Sequence, residues 1–148
     1  MENASNNSVF LSTVFVDTSA FKAFYDPNDP RHRQARSFTD LVAAKKLYTR
    51  GFVTSDYVLD ETLTLLRFTM GHSQAATFAK AIHESQAFRV LHVSQEEFSE
   101  ALELFIRSKD KEWSFTDCTS FNIMKRLGVV KAFTFDPHFR QAGFQLVP

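Results

Sequence analysis

Two short apolar runs in this chain each stop on an aspartate: Val14-Phe15-Val16 on Asp17, and Val129–Phe135 on Asp136. Runs of β-branched and aromatic residues with no polar alternation read as strands buried on both faces, the pattern of a parallel sheet. Thr18 or Ser19 is suited to cap a helix starting directly after the first run. In an open α/β sheet, ligands gather at the carboxyl ends of the strands. Parallel strands bring those ends to one edge, so Asp17 and Asp136 approach each other if their strands are neighbours. Taken singly, each Asp can equally be no more than the cap of the next helix.

The rest of the chain supplies alternating elements. A strand is expected over Val9–Val16, a short helix over Ser19–Tyr25, and a turn at Asp26-Pro27-Asn28-Asp29-Pro30. There Asp29 caps a helix from Pro30 to about Lys46. Leu47–Thr54 reads as a second strand weakened at Gly51. Ser55 or Asp56 caps a helix to Met70 that Gly71 closes, and Ser73–Ser85 is a further helix. Phe88–Val93 is a third strand. Ser94 with Glu97 forms a capping box opening a helix to about Lys109. Ser114–Leu127 is the next helix, Val129–Phe135 the fourth strand, and a last strand lies near Phe144–Val147. Strands alternating with helices imply a parallel sheet with right-handed crossovers.

With 148 residues, 44% hydrophobic and 17 of them Phe, the chain has the size of one domain with a packed core. Its 17 basic and 17 acidic residues cancel, so affinity for a polyanion requires a local basic patch or bound metal. A single cysteine, Cys118, excludes an internal disulfide and fits a reducing cytoplasm; beside Asp117 it reads as a small buried hydrophobe. No stretch has the length of a membrane span. The polar segment 1–8 lacks a basic start and an apolar run, so it is expected to be a disordered tail and not a signal peptide.

Two more acids stand out. On a helical wheel, Tyr57, Val58, Leu65 and Phe68 lie within about 60° of Glu61, whereas Asp60 falls with Asp56, Thr64 and Arg67. Glu61 is therefore expected to border the buried stripe and Asp60 to face solvent. Asp117 shares a face with Ser120, Phe121 and Met124, opposite Asn122, Lys125 and Arg126, and is expected to point inward. Complementing a helix dipole is worth about 0.3–1 kcal/mol, which does not clearly offset the cost of burying a carboxylate. Carboxylates gathered at one sheet edge repel, and one is driven to protonate. A divalent cation relieves that repulsion. Oxygen donors without a His or Cys pair at metal spacing favour Mg²⁺ or Mn²⁺ over zinc, the ions of phosphate chemistry.

These residues resemble those of PIN-domain ribonucleases, and specifically the VapC-type toxins of toxin–antitoxin pairs. The resemblance runs from about Val14 to Val147. It rests on Phe15-Val16-Asp17-Thr18-Ser19, on Glu61 within Leu59-Asp60-Glu61-Thr62-Leu63, on Ser114-Phe115-Thr116-Asp117-Cys118, and on Thr134-Phe135-Asp136-Pro137-His138-Phe139 followed by Ala142-Gly143-Phe144. The family implies an α/β fold of three layers (α/β/α) with a central parallel sheet of about five strands, here a PIN domain over 9–148. It implies Mg²⁺- or Mn²⁺-dependent endonucleolytic hydrolysis of RNA. Carried over by position, Asp17, Glu61, Asp117 and Asp136 are its metal-binding acids, with Asp136 acting through water. Thr18 and Thr116 are hydroxyls able to orient water or a carboxylate. The family also implies a VapB-like antitoxin that places a peptide arm in the acidic cleft, a homodimer, and a cytoplasmic setting without a membrane. The chain departs from the pattern in about a dozen residues ahead of the first strand and in Asp60 beside Glu61.

Other features have two readings. Arg31, His32, Arg33 and Arg36 can track an RNA backbone or form a solvated helix face. Trp113, after Lys109 and Lys111, can stack a base or pack at the core's rim. His138 can act in acid–base chemistry or be structural. The Phe residues are expected in the core, with some on a dimer face. Against the nuclease stand an inactive PIN-like module that binds RNA or protein, and a phosphoacceptor domain of flavodoxin-like topology. The latter lacks a Lys at a late strand end and leaves Glu61 unexplained.

Overall fold

In the computed structural model, which describes residues 10–148, the order is β1 (Phe10–Leu11), β2 (Val14–Val16), α1 (Thr18–Tyr25), α2 (His32–Ala43), β3 (Tyr48–Thr49), β4 (Phe52–Ser55), α3 (Asp56–Met70), α4 (His72–Glu84), β5 (Phe88–Leu91), α5 (Gln95–Arg107), α6 (Phe115–Leu127), β6 (Lys131–Phe133), α7 (His138–Gln141) and β7 (Gln145–Val147). The expected tail over 1–8, and Val9 of the expected first strand, lie outside the described residues.

Five strands form one parallel sheet in the order β5-β4-β2-β6-β7. The chain builds outward from β2 to β4 and β5, then returns to β2's other side for β6 and β7. The strand order therefore reverses between β2 and β6, where an α/β sheet opens a crevice at its carboxyl edge. Register assigns the two faces. Phe15 pairs with Ala132 and Val16 with Phe133, so Phe15 and Phe133 point to opposite sides. On one side Phe139 of α7 lies 6.3 Å from Phe15. On the other Phe38 of α2 lies 4.6 Å from Phe133. Helices thus cover both faces, as the three-layer expectation requires. Val14, Phe15, Phe78, Phe121 and Phe139 are completely enclosed.

Two expected strands are broken in the structure. The Val9–Val16 segment divides at Ser12-Thr13, and Leu47–Thr54 divides at Gly51, whose φ of 135° suits only glycine. The outer pieces, β1 and β3, pair with each other as a separate two-stranded parallel sheet. Thr49 Oγ1 donates to the Ser12 carbonyl at 3.0 Å, joining the two breaks. The helix expected from Pro30 starts at His32 instead, because Asp29 Oδ1 accepts the Arg31 N–H in a turn ahead of it.

Candidate active site

Asp17 stands at a strand end, Asp117 in the first turn of a helix, and Asp136 in the loop beyond β6, which runs Lys131–Phe133 and not over the expected Val129–Phe135. Asp17 directly follows β2, and its N–H donates to the Phe133 carbonyl of β6 at 3.1 Å. It is itself the N-cap of α1, accepting from the Ser19 N–H. The cap expected from Thr18 or Ser19 therefore belongs to Asp17. Ser19 Oγ donates to Asp17 Oδ2 at 2.9 Å, as does Thr134 Oγ1 at 3.0 Å. Ser19 Oγ also accepts the Phe135 N–H, and Thr134 Oγ1 accepts the Asp136 N–H. These two hydroxyls tie the end of β2 to the segment carrying Asp136. Sequence reading gave Ser19 only a capping role and passed over Thr134. Their signal is a hydroxyl residue two positions from each strand-end Asp.

Asp117 stands in the first turn of α6. Ser114 Oγ accepts its N–H, and its Oδ2 accepts the Ser114 N–H, both at 3.0 Å. His138 Nδ1 lies 3.2 Å from Asp117 Oδ2 and 3.3 Å from Asp136 Oδ1. The His138 N–H also donates to Asp136 Oδ1 at 2.9 Å. An open cleft of about 550 Å³ is lined by Asp17, Glu61, Asp117 and Asp136, with Thr18 and His138 beside them.

Glu61 reaches this cleft from α3 as an exposed side chain, a correction to its expected place beside the buried stripe. The stripe is Val58, Thr62 and Leu66, while Phe68, counted as apolar lining, is 82% exposed. Thr18 Oγ1 lies 3.4 Å from the Val58 carbonyl and 3.3 Å from Thr62 Oγ1. It thereby fastens α1 to the helix that carries Glu61. Thr116 is not among the residues lining the cleft.

Asp17 is 5% exposed and Asp117 7%. Burial pushes Asp17 up to about 6 from 3.8, against the lowering effect of the Ser19 and Thr134 hydrogen bonds. Burial also raises Asp117, opposed by the Ser114 N–H; the charges of Asp136 and Asp17 raise it further, and His138 lowers it. Among the described residues no Lys or Arg pairs with Asp17, Glu61, Asp117 or Asp136. Lys22 lines the cleft, but its ammonium is engaged by Asp26 and Asp29. Arg31 also lines it, with its guanidinium 5.8 Å above the Phe135 ring. The other residues of the basic segment diverge: Arg36 stacks on Phe24, and His32 Nδ1 lies 2.7 Å from the Ala23 carbonyl. Trp113 packs edge-on against Phe121 and donates to Gln141.

The donor set fits a divalent ion. Asp117, Asp136 and His138 each offer an atom within 4.8 Å of the others', and Asp17 adds a buried carboxylate without a cation. A donor set dominated by carboxylate oxygens suits Mg²⁺ or Mn²⁺.

Comparison with known proteins agrees with this geometry. The family model described as the PIN domain matches residues 14–145. The chain is 40% identical over 131 residues to the 23S rRNA-specific endonuclease VapC20 of Mycobacterium tuberculosis, spanning 88% of this chain and 95% of that one. It is 31% identical over 127 residues to a VapC ribonuclease of Archaeoglobus fulgidus, spanning 85% and 78%. Among solved structures, Mycobacterium tuberculosis VapC20, a sarcin–ricin loop cleaving toxin, superposes with a TM-score of 0.79 at 38% identity, covering 88% of this chain and 95% of that one. FitAcB from Neisseria gonorrhoeae superposes at 0.63 with 14% identity, covering 91% and 96%, and shares the fold.

Proposed function

This chain belongs to the PIN-domain family, in its VapC branch, and we propose that it is an endoribonuclease whose substrate phosphodiester lies in the acidic cleft. The observation that carries this reading is the cleft itself: four carboxylates lining one cleft with, among the described residues, no Lys or Arg paired to them. Asp17, Asp117 and Asp136 would hold a Mg²⁺ or Mn²⁺ ion, with Glu61 closing the opposite wall. Such an ion supplies Lewis-acid stabilisation of the phosphodiester and a water of lowered pKa. Ser19 and Thr134 hold Asp17 in place through Oδ2, Ser114 holds Asp117, and Thr18 fixes the helix bearing Glu61. Hydrolysis adds water across the phosphorus–O3′ bond, leaving a 5′-phosphate and a 3′-hydroxyl. Arg31 at the rim faces the RNA backbone.

The 23S rRNA specificity of the 40%-identical relative makes the sarcin–ricin loop the first RNA to test. Cleavage of that hairpin is expected with Mg²⁺ or Mn²⁺, and neither with EDTA nor with Asp17→Asn. Activity surviving both chelation and substitution removes the mechanism. A wild-type chain that binds Mn²⁺ but cuts no RNA points to the binding-module alternative.

Two partners complete the proposal, in a cytoplasmic setting; no helix among the described residues is long and apolar enough to cross a membrane. The first is an antitoxin peptide. One face of α1 lines the acidic cleft through Thr18, Ser19 and Lys22. The other, through Phe21 and Phe24, lines an apolar cavity of about 520 Å³ together with Ile82 of α4. A peptide with an apolar helix followed by an Arg would occupy both, the Arg standing where the metal binds. The second partner is another copy of the chain. Phe98, Leu102, Phe105 and Ile106 form an exposed apolar stripe on α5. Its helix carries Glu96 and Glu100 toward its start and Arg107 at its end, so antiparallel pairing sets opposite charges together. Phe105→Glu is expected to convert a dimer to monomer in light scattering.

A further inference from the structure

His138 has a role that the carboxylates alone do not require. It begins α7, and the next residue, Phe139, is completely buried, its ring within 5.0 Å of Phe121 and 6.3 Å of Phe15. The backbone beneath the imidazole is thereby fixed to the core. The His138 N–H is bound to Asp136 Oδ1, and the ring nitrogen Nδ1 stands 3.2 Å from Asp117 Oδ2 and 3.3 Å from Asp136 Oδ1. Two ligands on adjacent corners of an octahedron with bonds of about 2.1–2.2 Å are themselves about 3 Å apart. The spacing of Nδ1 from each oxygen is therefore that of neighbouring ligands on one ion, and all three atoms lie within 4.8 Å of one another. Without an ion the same spacing lets an Nδ1–H be shared between the two carboxylates, which among the described residues carry no Lys or Arg; an ion between them would take that proton's place.

We propose that His138 Nδ1 is a direct ligand of the metal shared by Asp117 and Asp136, which makes the site a mixed nitrogen–oxygen one and tunes it toward Mn²⁺ over Mg²⁺. The inference rests on the metal-dependent reading above and extends it from acids alone to one imidazole. Mg²⁺ takes oxygen and sheds its water reluctantly, whereas imidazole suits the transition ions, whose affinities climb from Mn²⁺ toward Co²⁺ and Ni²⁺. Replacing one oxygen by nitrogen should thus leave Mg²⁺ binding weak and strengthen the others in that order. The backbone anchoring of Phe139 gives the imidazole little freedom to leave, which is what a preorganised ligand needs.

The test is spectroscopic and needs no substrate. The full chain is titrated with Mn²⁺ alone, followed by electron paramagnetic resonance, and Mg²⁺ affinity is read by competition. Pulsed spectra of the bound Mn²⁺ are then searched for the coupling of a directly bonded ¹⁴N. The expected result is such a coupling in the wild type, lost in both His138→Ala and His138→Gln. Mn²⁺ affinity should fall about tenfold to a hundredfold in the variants, with Mg²⁺ affinity changed less than about threefold. Bound Mn²⁺ with no ¹⁴N coupling in the wild type, or a coupling that persists in both variants, overturns the assignment of His138 while leaving the carboxylate site standing. A wild type that binds no Mn²⁺ sensitive to Asp117→Asn overturns this inference and the metal-dependent reading together. The wild-type spectrum decides the matter even if a variant folds poorly.

Discussion

Helices α5 and α6 begin in the same way and end up doing different work. Each opens with a serine whose hydroxyl accepts the backbone N–H of an acid three residues on, and each acid returns the bond: Ser94 with Glu97, Ser114 with Asp117. Both acids are buried, at 5% and 7% exposed. Glu97 spends one oxygen on the Ser94 N–H and pairs the other with the Arg126 guanidinium, supplied by α6. Asp117 spends one oxygen on the Ser114 N–H and then meets Asp17, Asp136 and His138. A buried carboxylate furnished with a cation by its own fold is a structural element. One whose neighbours are further carboxylates has no Lys or Arg partner among the described residues. The local motif does not distinguish them; the counter-charge does.

Neutralising each acid in turn separates the two roles. Asp117→Asn keeps an oxygen for the Ser114 N–H but removes the charge. RNA cleavage is expected to fall about a thousandfold, and Mg²⁺ should no longer raise the melting temperature. The metal-free variant should be no less stable than the wild type. Loss of fold accompanying loss of activity would place Asp117 with Glu97 as a structural acid.

The second largest effect is on the pH dependence of stability without metal. The Asp17 carboxyl is raised to about 6 in the fold from 3.8, so the folded state binds more protons than the unfolded one between those values. Stability therefore falls as pH rises from about 4 to about 6, by about 3 kcal/mol when complete. Below the unfolded value both states are protonated and the penalty vanishes. Asp117, raised in the same direction, adds to the slope. Unfolding in EDTA across pH 4 to 8 should show the decline in the wild type and a flatter curve in Asp17→Asn; parallel curves would contradict it. At pH 7 saturating Mg²⁺ should recover the loss in the wild type alone, since binding to the folded state stabilises it.

Glu97→Gln is the counterpart on α5. It breaks the pair with Arg126, whose side chain is 55% exposed and readily rehydrated, so the penalty is well below that of a fully buried pair. About 2 kcal/mol of stability is expected to be lost, a few degrees of melting temperature. Cleavage per folded molecule should stay within about twofold of wild type. A larger drop would mean that α5 positions the cleft.

The same comparison explains what the sequence made legible. Asp17, Asp117 and Asp136 could be read because each stands at a boundary that local pattern defines, a strand end or a helix start. The Ser94 capping box was legible because serine with glutamate three on is a strong signal. Its twin at Ser114 was not, since aspartate in that place reads as dipole compensation. Glu61 lies on the expected helix but not beside its buried stripe. Thr62 sits fully inside, its hydroxyl returned to the Val58 carbonyl at 2.7 Å, and a buried threonine that satisfies itself this way rotates the apparent apolar stripe. The Ser19–Thr134 latch spans 115 residues, and only the pairing of β2 with β6 brings it about. Gly51 marks its break locally, whereas the break at Ser12-Thr13 follows from pairing between β1 and β3, which no local pattern announces.

The finest discrimination comes from the serines, where the expected effects are smallest. Ser94→Ala and Ser114→Ala each remove one acceptor from a helix start and leave one N–H to water, at a cost of about 1 kcal/mol. Stability should therefore respond alike in the two variants. Activity should not. Ser94 steadies an acid that Arg126 also holds, so cleavage per folded molecule is unchanged in Ser94→Ala. Ser114 lies in the wall of the cleft, and its hydroxyl sets the turn from which Asp117 faces Asp136. Without it the carboxylate keeps only the Ser114 N–H of that turn, and metal affinity should fall about tenfold, as it does when an outer partner of a ligand is removed. Raising the Mg²⁺ concentration should then restore much of the lost cleavage in Ser114→Ala, which it cannot do in Asp117→Asn. Equal stability losses with activity lost in only one would show that two identical caps have been put to different uses by the charges around them.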